Sequence, residues 1–154
     1  MKKILLSKNK VALVDDEDYE YLNQWKWSYS GHGYAHRKGY KEGKYTTIYM
    51  HREILKPPEG KLTDHKNMNG LDNRRKNLRI CDKSQNGANR PKQKDNTSGH
   101  KGIYWFRRDK NWLVQIRCKS KNYYLGYFND KNDAIKVYNE KSKELFGEFA
   151  YKEV

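Results

Sequence analysis

Residues 91–99, Pro-Lys-Gln-Lys-Asp-Asn-Thr-Ser-Gly, hold no apolar side chain, so no core runs through them and the chain must fold in pieces on either side. A second interruption comes at Pro57-Pro58 and Gly60. Proline lacks a backbone donor and disfavours helical geometry in the residue before it, so any helix there stops. With 35% hydrophobic residues in 154 positions, one large core is excluded and small modules with thin cores are expected. The predicted boundaries are 1–58, 59–90, a basic linker 91–98, and 99–154.

Local patterns fill these segments and give an α+β chain. Val-Ala-Leu-Val at 11–14 reads as a buried strand, and Asp15 to Asp18 supply carboxylates for the start of a helix reaching about Trp25. From Trp27 to Ile48, aromatic and β-branched residues broken by Gly31, Gly33, Gly39 and Gly43 predict short antiparallel strands, so the N-terminal module is β-rich. Met50–Leu55 reads as a short helix. A strand at 61–65, an Asn- and Gly-rich loop at 66–76, a return strand at 77–80 and a helix at about 82–90 make a hairpin followed by a helix. Beyond the linker, runs at about 101–106, 112–118 and 122–127 predict a three-stranded antiparallel sheet. The helix after it runs from about Asp130 to Phe146, buries one face through Ala134, Ile135, Tyr138, Leu145 and Phe146, and ends at Gly147.

Lys and Arg outnumber Asp and Glu 33 to 19, a net charge of +14, and residues 1–60, 61–98 and 99–154 each carry the excess. Basic charge interleaved with 13 Tyr, 4 Trp and 4 Phe suits a polyanion with phosphates and flat bases better than a membrane, so nucleic acid is the expected partner. Cys81 and Cys118 belong to no metal-ligand run, which points to free thiols in a reducing compartment. Met1-Lys-Lys before Ile4-Leu5-Leu6 has the look of a signal-peptide start, but the apolar stretch ends at Ser7 and Lys8, so neither export nor a membrane span is expected.

Asp64 and His65 stand side by side, with Asn77 and Asn86 following. A carboxylate, an imidazole and an amide oxygen could hold one hard divalent cation and activate one water. Strand alternation would aim Asp64 and His65 at opposite faces unless the strand end twists them together. Singly, an Asp-His pair or a lone Asn is ordinarily a turn or surface feature.

The whole stretch carries more. Asp64-His65, Asn67, Asn69, Leu71-Asp72-Asn73-Arg74-Arg75, Asn77-Leu78-Arg79, Gln85-Asn86 and Asn89 resemble the HNH nucleases of homing-endonuclease type over about residues 51–90. The resemblance implies a ββα-metal fold in which Asp64 and Asn86 ligate one Mg²⁺ or Mn²⁺, His65 is the general base, and Asn77 braces the loop that orients His65. An oxygen-only ligand set favours those ions, and zinc is not expected. Arg74, Arg75 and Arg79 are read either as phosphate clamps or as DNA-backbone contacts. His51 is placed either in a structural hydrogen bond or at the edge of the site. Met68 stands where the family usually has Gly, with Gly70 two places later, so the turn is expected to re-form with shifted geometry.

In the last third, Gly102-Ile-Tyr-Trp-Phe-Arg-Arg, Trp112-Leu-Val-Gln-Ile-Arg, Tyr124-Leu-Gly-Tyr-Phe and Glu148-Phe-Ala resemble the DNA-binding domain of plant ethylene-response factors, the APETALA type. That resemblance implies a sheet laid in the major groove of double-stranded DNA, with Lys101, Tyr104, Phe106, Arg108, Gln115, Arg117 and Tyr124 facing it. The sequence thus reads as a site-specific DNA endonuclease, monomeric or dimeric, of a bacterial or phage-infected cytoplasm, leaving a nick or a double-strand break. A catalytically idle DNA-binding regulator is the alternative.

Overall fold

A computed structural model of the chain describes residues 1–41 and 43–151; Glu42 and 152–154, the end of the predicted C-terminal segment, lie outside the described residues. The chain divides into two compact units, Met1–Lys83 and Ser84–Val154, each with its own core.

The first unit opens with β1 (Lys2–Leu5), which pairs antiparallel with β2 (Val11–Val14) so that Ile4 faces Ala12. The apparent signal-like start is therefore a strand. Ile4 and Leu6 are buried while Leu5 is exposed, the period-two alternation of a half-buried strand. Helix α1 (Asp16–Leu22) carries Asp16, Glu17 and Asp18 in its first turn, at the positive end of the helix dipole. It ends at Leu22 rather than near Trp25, because the Trp27 indole N–H donates to the Leu22 carbonyl at 2.8 Å and satisfies one of the helix's orphan acceptors.

Strands β3 (Ser28–Tyr29), β4 (Ala35–Lys41) and β5 (Lys44–Tyr49) form a three-stranded antiparallel sheet in that order. Helix α2 (Met50–Leu55) follows β5 at once and drives Met50 and Ile54 into the core. Strands β6 (Leu62–His65) and β7 (Leu78–Cys81) form the antiparallel hairpin. The return strand starts at Leu78 because Arg75–Asn77 is wound into a single 3₁₀ turn. Leu78 joins Ile4, Leu6, Ala12, Val14, Leu22, Trp27, Met50 and Ile54 in one cluster, which fixes the hairpin to the same core as β1 and β2.

The second unit contains α3 (Lys83–Ala88) from Ser84 onward, β8 (Ile103–Phe106), β9 (Asn111–Cys118), β10 (Lys121–Phe128) and α4 (Lys131–Phe146). The sheet order is β10-β9-β8, all antiparallel. Asp130 caps α4 by accepting from the backbone N–H groups of Asn132 and Asp133 at 2.6 and 3.2 Å. Ile103, Val114 and Ala134 form the centre of the core, with Trp112, Leu125, Phe128, Ile135 and Tyr138 packed around it. Gly102 has a φ of 67°, and a Cβ there would run into the Tyr138 ring and the Gln115 carbonyl, so only glycine lets β8 approach so closely.

Residues 91–99 hold no helix or strand, as their composition requires, yet their side chains tie the backbone together. Lys92 donates to the Gly99 carbonyl at 2.7 Å, and Asn96 and Ser98 donate to that of His100 at 2.9 and 2.8 Å. The expected α+β class, with small antiparallel sheets and a C-terminal three-stranded sheet on one helix, is borne out. Among the described residues no helix is long and apolar enough to cross a membrane.

Candidate functional site

The end of β6 is where the first unit buries charge. Asp64 and His65 are 7% and 5% exposed, unusual for adjacent polar residues. Register puts Asp64 opposite Arg79 and His65 opposite Leu78, so the pair faces two sides of the hairpin, as alternation demands. Both Nε and a terminal nitrogen of Arg79 donate to Asp64 Oδ2 at 2.8 Å, and both side chains are more than nine-tenths buried. A buried ion pair of this kind holds a carboxylate in one place.

His65 is held from the other side. Its Nε2 lies 3.2 Å from Oδ1 of Asn73, a residue with no exposed surface. Oδ1 can only accept, so Nε2 carries the proton and the lone pair of the neutral ring sits on Nδ1. Burial pulls the His65 pKa below the ordinary histidine value; the Asn73 bond, Asp64 and Asp72 oppose it. The ring is thus a neutral base.

Asn73 is fixed by the N-terminal hairpin. Leu13 of β2 donates its N–H to the Leu71 carbonyl and accepts from the Asn73 N–H, both at 2.8 Å. β2 therefore clamps the loop on either side of Asp72 and sets where the Asn73 amide points. The sequence motif contained Asn73, but nothing in its spacing showed that its side chain turns to His65.

Asn77 does its work inside the loop. Its Oδ1 accepts from the Asn67 N–H at 3.1 Å and its Nδ2 donates to the Asp72 carbonyl at 2.7 Å. Asn67 and Asn69 continue this with side-chain bonds to the N–H groups of Asn69 and Leu71, so the loop is a chain of Asx turns. Met68, where glycine is usual, takes a left-handed φ of 61°. Gly70 passes directly beneath Tyr34, and a Cβ there would strike that ring.

The arginines predicted to touch DNA are engaged within the unit. Arg74 forks onto Asp72 with two bonds of 2.6 Å, which hold the buried Asp72 carboxyl below its usual range. Arg75 donates to Asp18 at 2.9 and 2.7 Å and pairs with Glu17 at 2.7 Å, while its N–H meets Asp15. The loop is thereby tied to the start of α1.

His51 lies at the back of the His65 ring, 5.0 Å away and edge to face. Tyr34 and Tyr49 complete the group, at 5.8 Å from His65 and 5.5 Å from His51 respectively. His51 is 8% exposed, and its Nδ1 has no hydrogen-bond partner among the described residues. Burial first, then the charges of His65 and Arg52, push its pKa down to about 3. The folded pKa lies below the unfolded value near 6.5, so the unfolded chain binds the proton more readily and stability falls as pH drops through that window. Urea unfolding between pH 7 and 4 should show a loss to which His51 contributes at most about 1.4 kcal/mol per pH unit, so that the slope is shallower in His51→Phe, where buried His65 alone of the two still contributes. An equal slope in the variant would contradict this assignment.

In the second unit, β9 alternates cleanly. Val114, Ile116 and Cys118 are buried, while Gln115 and Arg117 face the other side. Register aligns Tyr104 with Leu113, Tyr124 with Gln115 and Phe106 with Asn111 on that outer face. A bulge between Tyr124 and Gly126 brings Tyr127 there too, opposite Leu113. Tyr104, Tyr124 and Tyr127 are 48%, 70% and 57% exposed. Arg108 lies 5.4 Å over Phe106 and pairs with Asp109. Tyr104, Phe106, Gln115, Arg117 and Tyr124 thus share one open face.

Lys101 is placed elsewhere: its ammonium donates to the carbonyls of Ala88 and Arg90 at 2.7 Å, capping the end of α3, and burial lowers its pKa to about 8. Asn86 lies on α3, in the second unit, whereas Asp64 and His65 are in the first.

Over 149 residues, 93% of this chain and 74% of the relative, the chain is 28% identical to a protein of Acanthamoeba polyphaga mimivirus named an uncharacterized HNH endonuclease. The likeness supports an HNH-type endonuclease. A second relative, Protein 3.8 of Escherichia phage T7, is 28% identical over 119 residues, 74% of this chain and 97% of its own length, and its name carries no activity. Neither name bears on the ethylene-response-factor resemblance. No family model and no solved structure matches the chain.

Proposed function

We propose that this chain is a metal-dependent, site-specific DNA endonuclease of HNH homing type. The observation that carries the reading is the buried His65 imidazole, held through Nε2 by Asn73 on a hairpin whose neighbouring Asp64 is fixed by Arg79. A neutral ring with one nitrogen tied by a buried amide is built to accept a proton at the other.

Among the described residues no three His, Cys, Asp or Glu side chains cluster as a metal-binding group. The donors that the reading needs are one carboxylate and one amide oxygen, an oxygen-only set that fits a hard ion. Asp64 and Asn86 would hold one Mg²⁺ or Mn²⁺, which when bound neutralises charge on the scissile phosphate and on the departing 3′ oxygen. His65 Nδ1 takes the proton of the attacking water. Asn73 fixes the tautomer, Asn77 keeps the loop closed, and Arg79 holds Asp64 in place. Hydrolysis leaves a 5′ phosphate and a 3′ hydroxyl, and one such site per chain gives a nick, or a double-strand break from two chains. The open β8–β9–β10 face, through Arg117 and Gln115 with the tyrosines around them, grips the duplex.

The Arg79–Asp64 pair also favours a second reading, a DNA-binding regulator in which Arg79 has replaced the ion as the partner of Asp64. Metal dependence separates the two. The endonuclease cuts DNA with Mg²⁺ or Mn²⁺ and stops in EDTA, whereas the regulator binds DNA equally with and without either ion and cuts in neither case.

A further inference from the structure

Rotation of a histidine ring about χ2 has no sharp rotamer minimum, so the imidazole plane of a base must be set by what surrounds it. The Asn73 contact to His65 Nε2, at 3.2 Å, is at the long end of the hydrogen-bond range. A proton acceptor aimed at one water tolerates a swing of only about 10–20°.

Two rings close on the imidazole. His51 and Tyr34 lie 5.0 and 5.8 Å from His65 and 5.4 Å from each other, so the three make a closed triangle. His51 stands edge to face with His65 at 83°, while the Tyr34 ring is tilted 38° from it, so the two neighbours resist different swings. His51 and His65 are buried and Tyr34 is 36% exposed, which makes Tyr34 the member of the triangle that meets solvent.

The chain around Tyr34 is built to hold it there. Tyr34 ends the turn between β3 and β4, and Ser30 ties that turn three times: its N–H donates to the Tyr34 carbonyl at 2.8 Å, its Oγ accepts from the Tyr34 N–H at 3.0 Å, and its carbonyl accepts from the Gly33 N–H at 3.0 Å. The seat is Gly70 of the 66–76 loop, where a Cβ would lie 2.5 Å from the Gly33 carbonyl oxygen and 2.6 and 2.8 Å from two carbons of the Tyr34 ring. A solvated turn needs no aromatic residue at its end, and one that only filled the core would be buried.

We infer that Tyr34 is a positioning residue of the candidate site: its ring, seated over Gly70, fixes the plane of the His65 imidazole and with it the direction of the Nδ1 lone pair. The ring does this and the hydroxyl does not, so phenylalanine serves as well. The β3–β4 turn, outside residues 51–90, thereby becomes part of the site.

The inference rests on His65 being the base, and one of its readouts needs no cleavage. A buried, hydrogen-bonded imidazole N–H exchanges slowly with water and gives a proton resonance, which His65→Gln assigns by lacking it. The full chain is compared as wild type, Tyr34→Phe, Tyr34→Leu and Gly70→Ala by that resonance, by DNA binding in EDTA, and by single-turnover cleavage of supercoiled DNA in Mg²⁺. Gly70→Ala keeps every side chain of the site and pushes only the ring away, so it decides the matter where circular dichroism shows that the leucine variant has not folded. Tyr34→Phe should keep the resonance and cut within about twofold of wild type. Tyr34→Leu and Gly70→Ala should lose the resonance to exchange and cut about 10- to 100-fold more slowly, with the DNA dissociation constant unchanged within about twofold. Wild-type rates in those two variants overturn the inference. So does a Tyr34→Phe as slow as Tyr34→Leu, which makes the hydroxyl the working group, or a parallel loss of binding, which makes Tyr34 a DNA contact. Each of these leaves the endonuclease reading intact. A resonance that depends on the Tyr34 ring, in a protein that cuts DNA in neither Mg²⁺ nor Mn²⁺, upholds the hold on His65 and removes the endonuclease.

Discussion

His65→Ala is expected to lower the single-turnover rate of DNA cleavage by about 10²- to 10⁴-fold, the range spanned by a positioned general base, while leaving the dissociation constant for the same DNA within about twofold of wild type. The split follows from where the residue sits. His65 is buried and neutral and is hydrogen-bonded to Asn73, so its removal takes away a proton acceptor and leaves the exposed basic surfaces unchanged. The cavity left by the ring costs stability, and the comparison belongs well below the variant's unfolding temperature. His65→Gln, which refills the space with a group that cannot serve as a base, should be equally slow and better folded. Parallel loss of binding and cleavage in both variants would remove His65 from the chemistry.

Arg79→Ala should cost about 3 kcal/mol of folding stability, because it strips the buried Asp64 carboxylate of a guanidinium that holds it by two bonds at 2.8 Å. Arg79→Lys restores the charge but not the fork, and should recover part of the loss. The two readings of Asp64 diverge here. If a cation takes this carboxylate, Mn²⁺ should raise the unfolding midpoint of Arg79→Ala more than that of wild type, since the ion replaces the missing positive charge. If Arg79 is its permanent partner, Mn²⁺ moves neither. Urea unfolding with and without Mn²⁺ measures both, and a loss under 1 kcal/mol would show that the pair is not the anchor described.

Local elements were readable where local chemistry decides them. The β6–β7 hairpin, the short α2 before Pro57-Pro58, the three C-terminal strands and α4 with its Asp130 start follow from periodicity, breakers and caps. What escaped depends on partners distant in sequence. β1 was hidden because Lys2 and Lys3 precede only two inward residues, Ile4 and Leu6, and its pairing with β2 is a tertiary choice. The roles of Arg74, Arg75 and Arg79 could not be read, since an arginine in a motif gives no sign of whether phosphate or a carboxylate is its partner, and Asp18 lies 57 residues before Arg75. Lys101 looks like a surface cation until the carbonyls at the end of α3 are seen beneath it. The same limit hid Asn73, whose significance is its direction rather than its identity.

The most direct test is a gel assay of supercoiled DNA carrying candidate target loci, incubated with the full chain in Mg²⁺, in Mn²⁺ and in EDTA. The account predicts discrete nicked or linear product with either ion, bearing 5′ phosphate and 3′ hydroxyl ends, and intact DNA in EDTA. DNA that is demonstrably bound yet stays intact in both metals would contradict it and leave a duplex-binding regulator in its place.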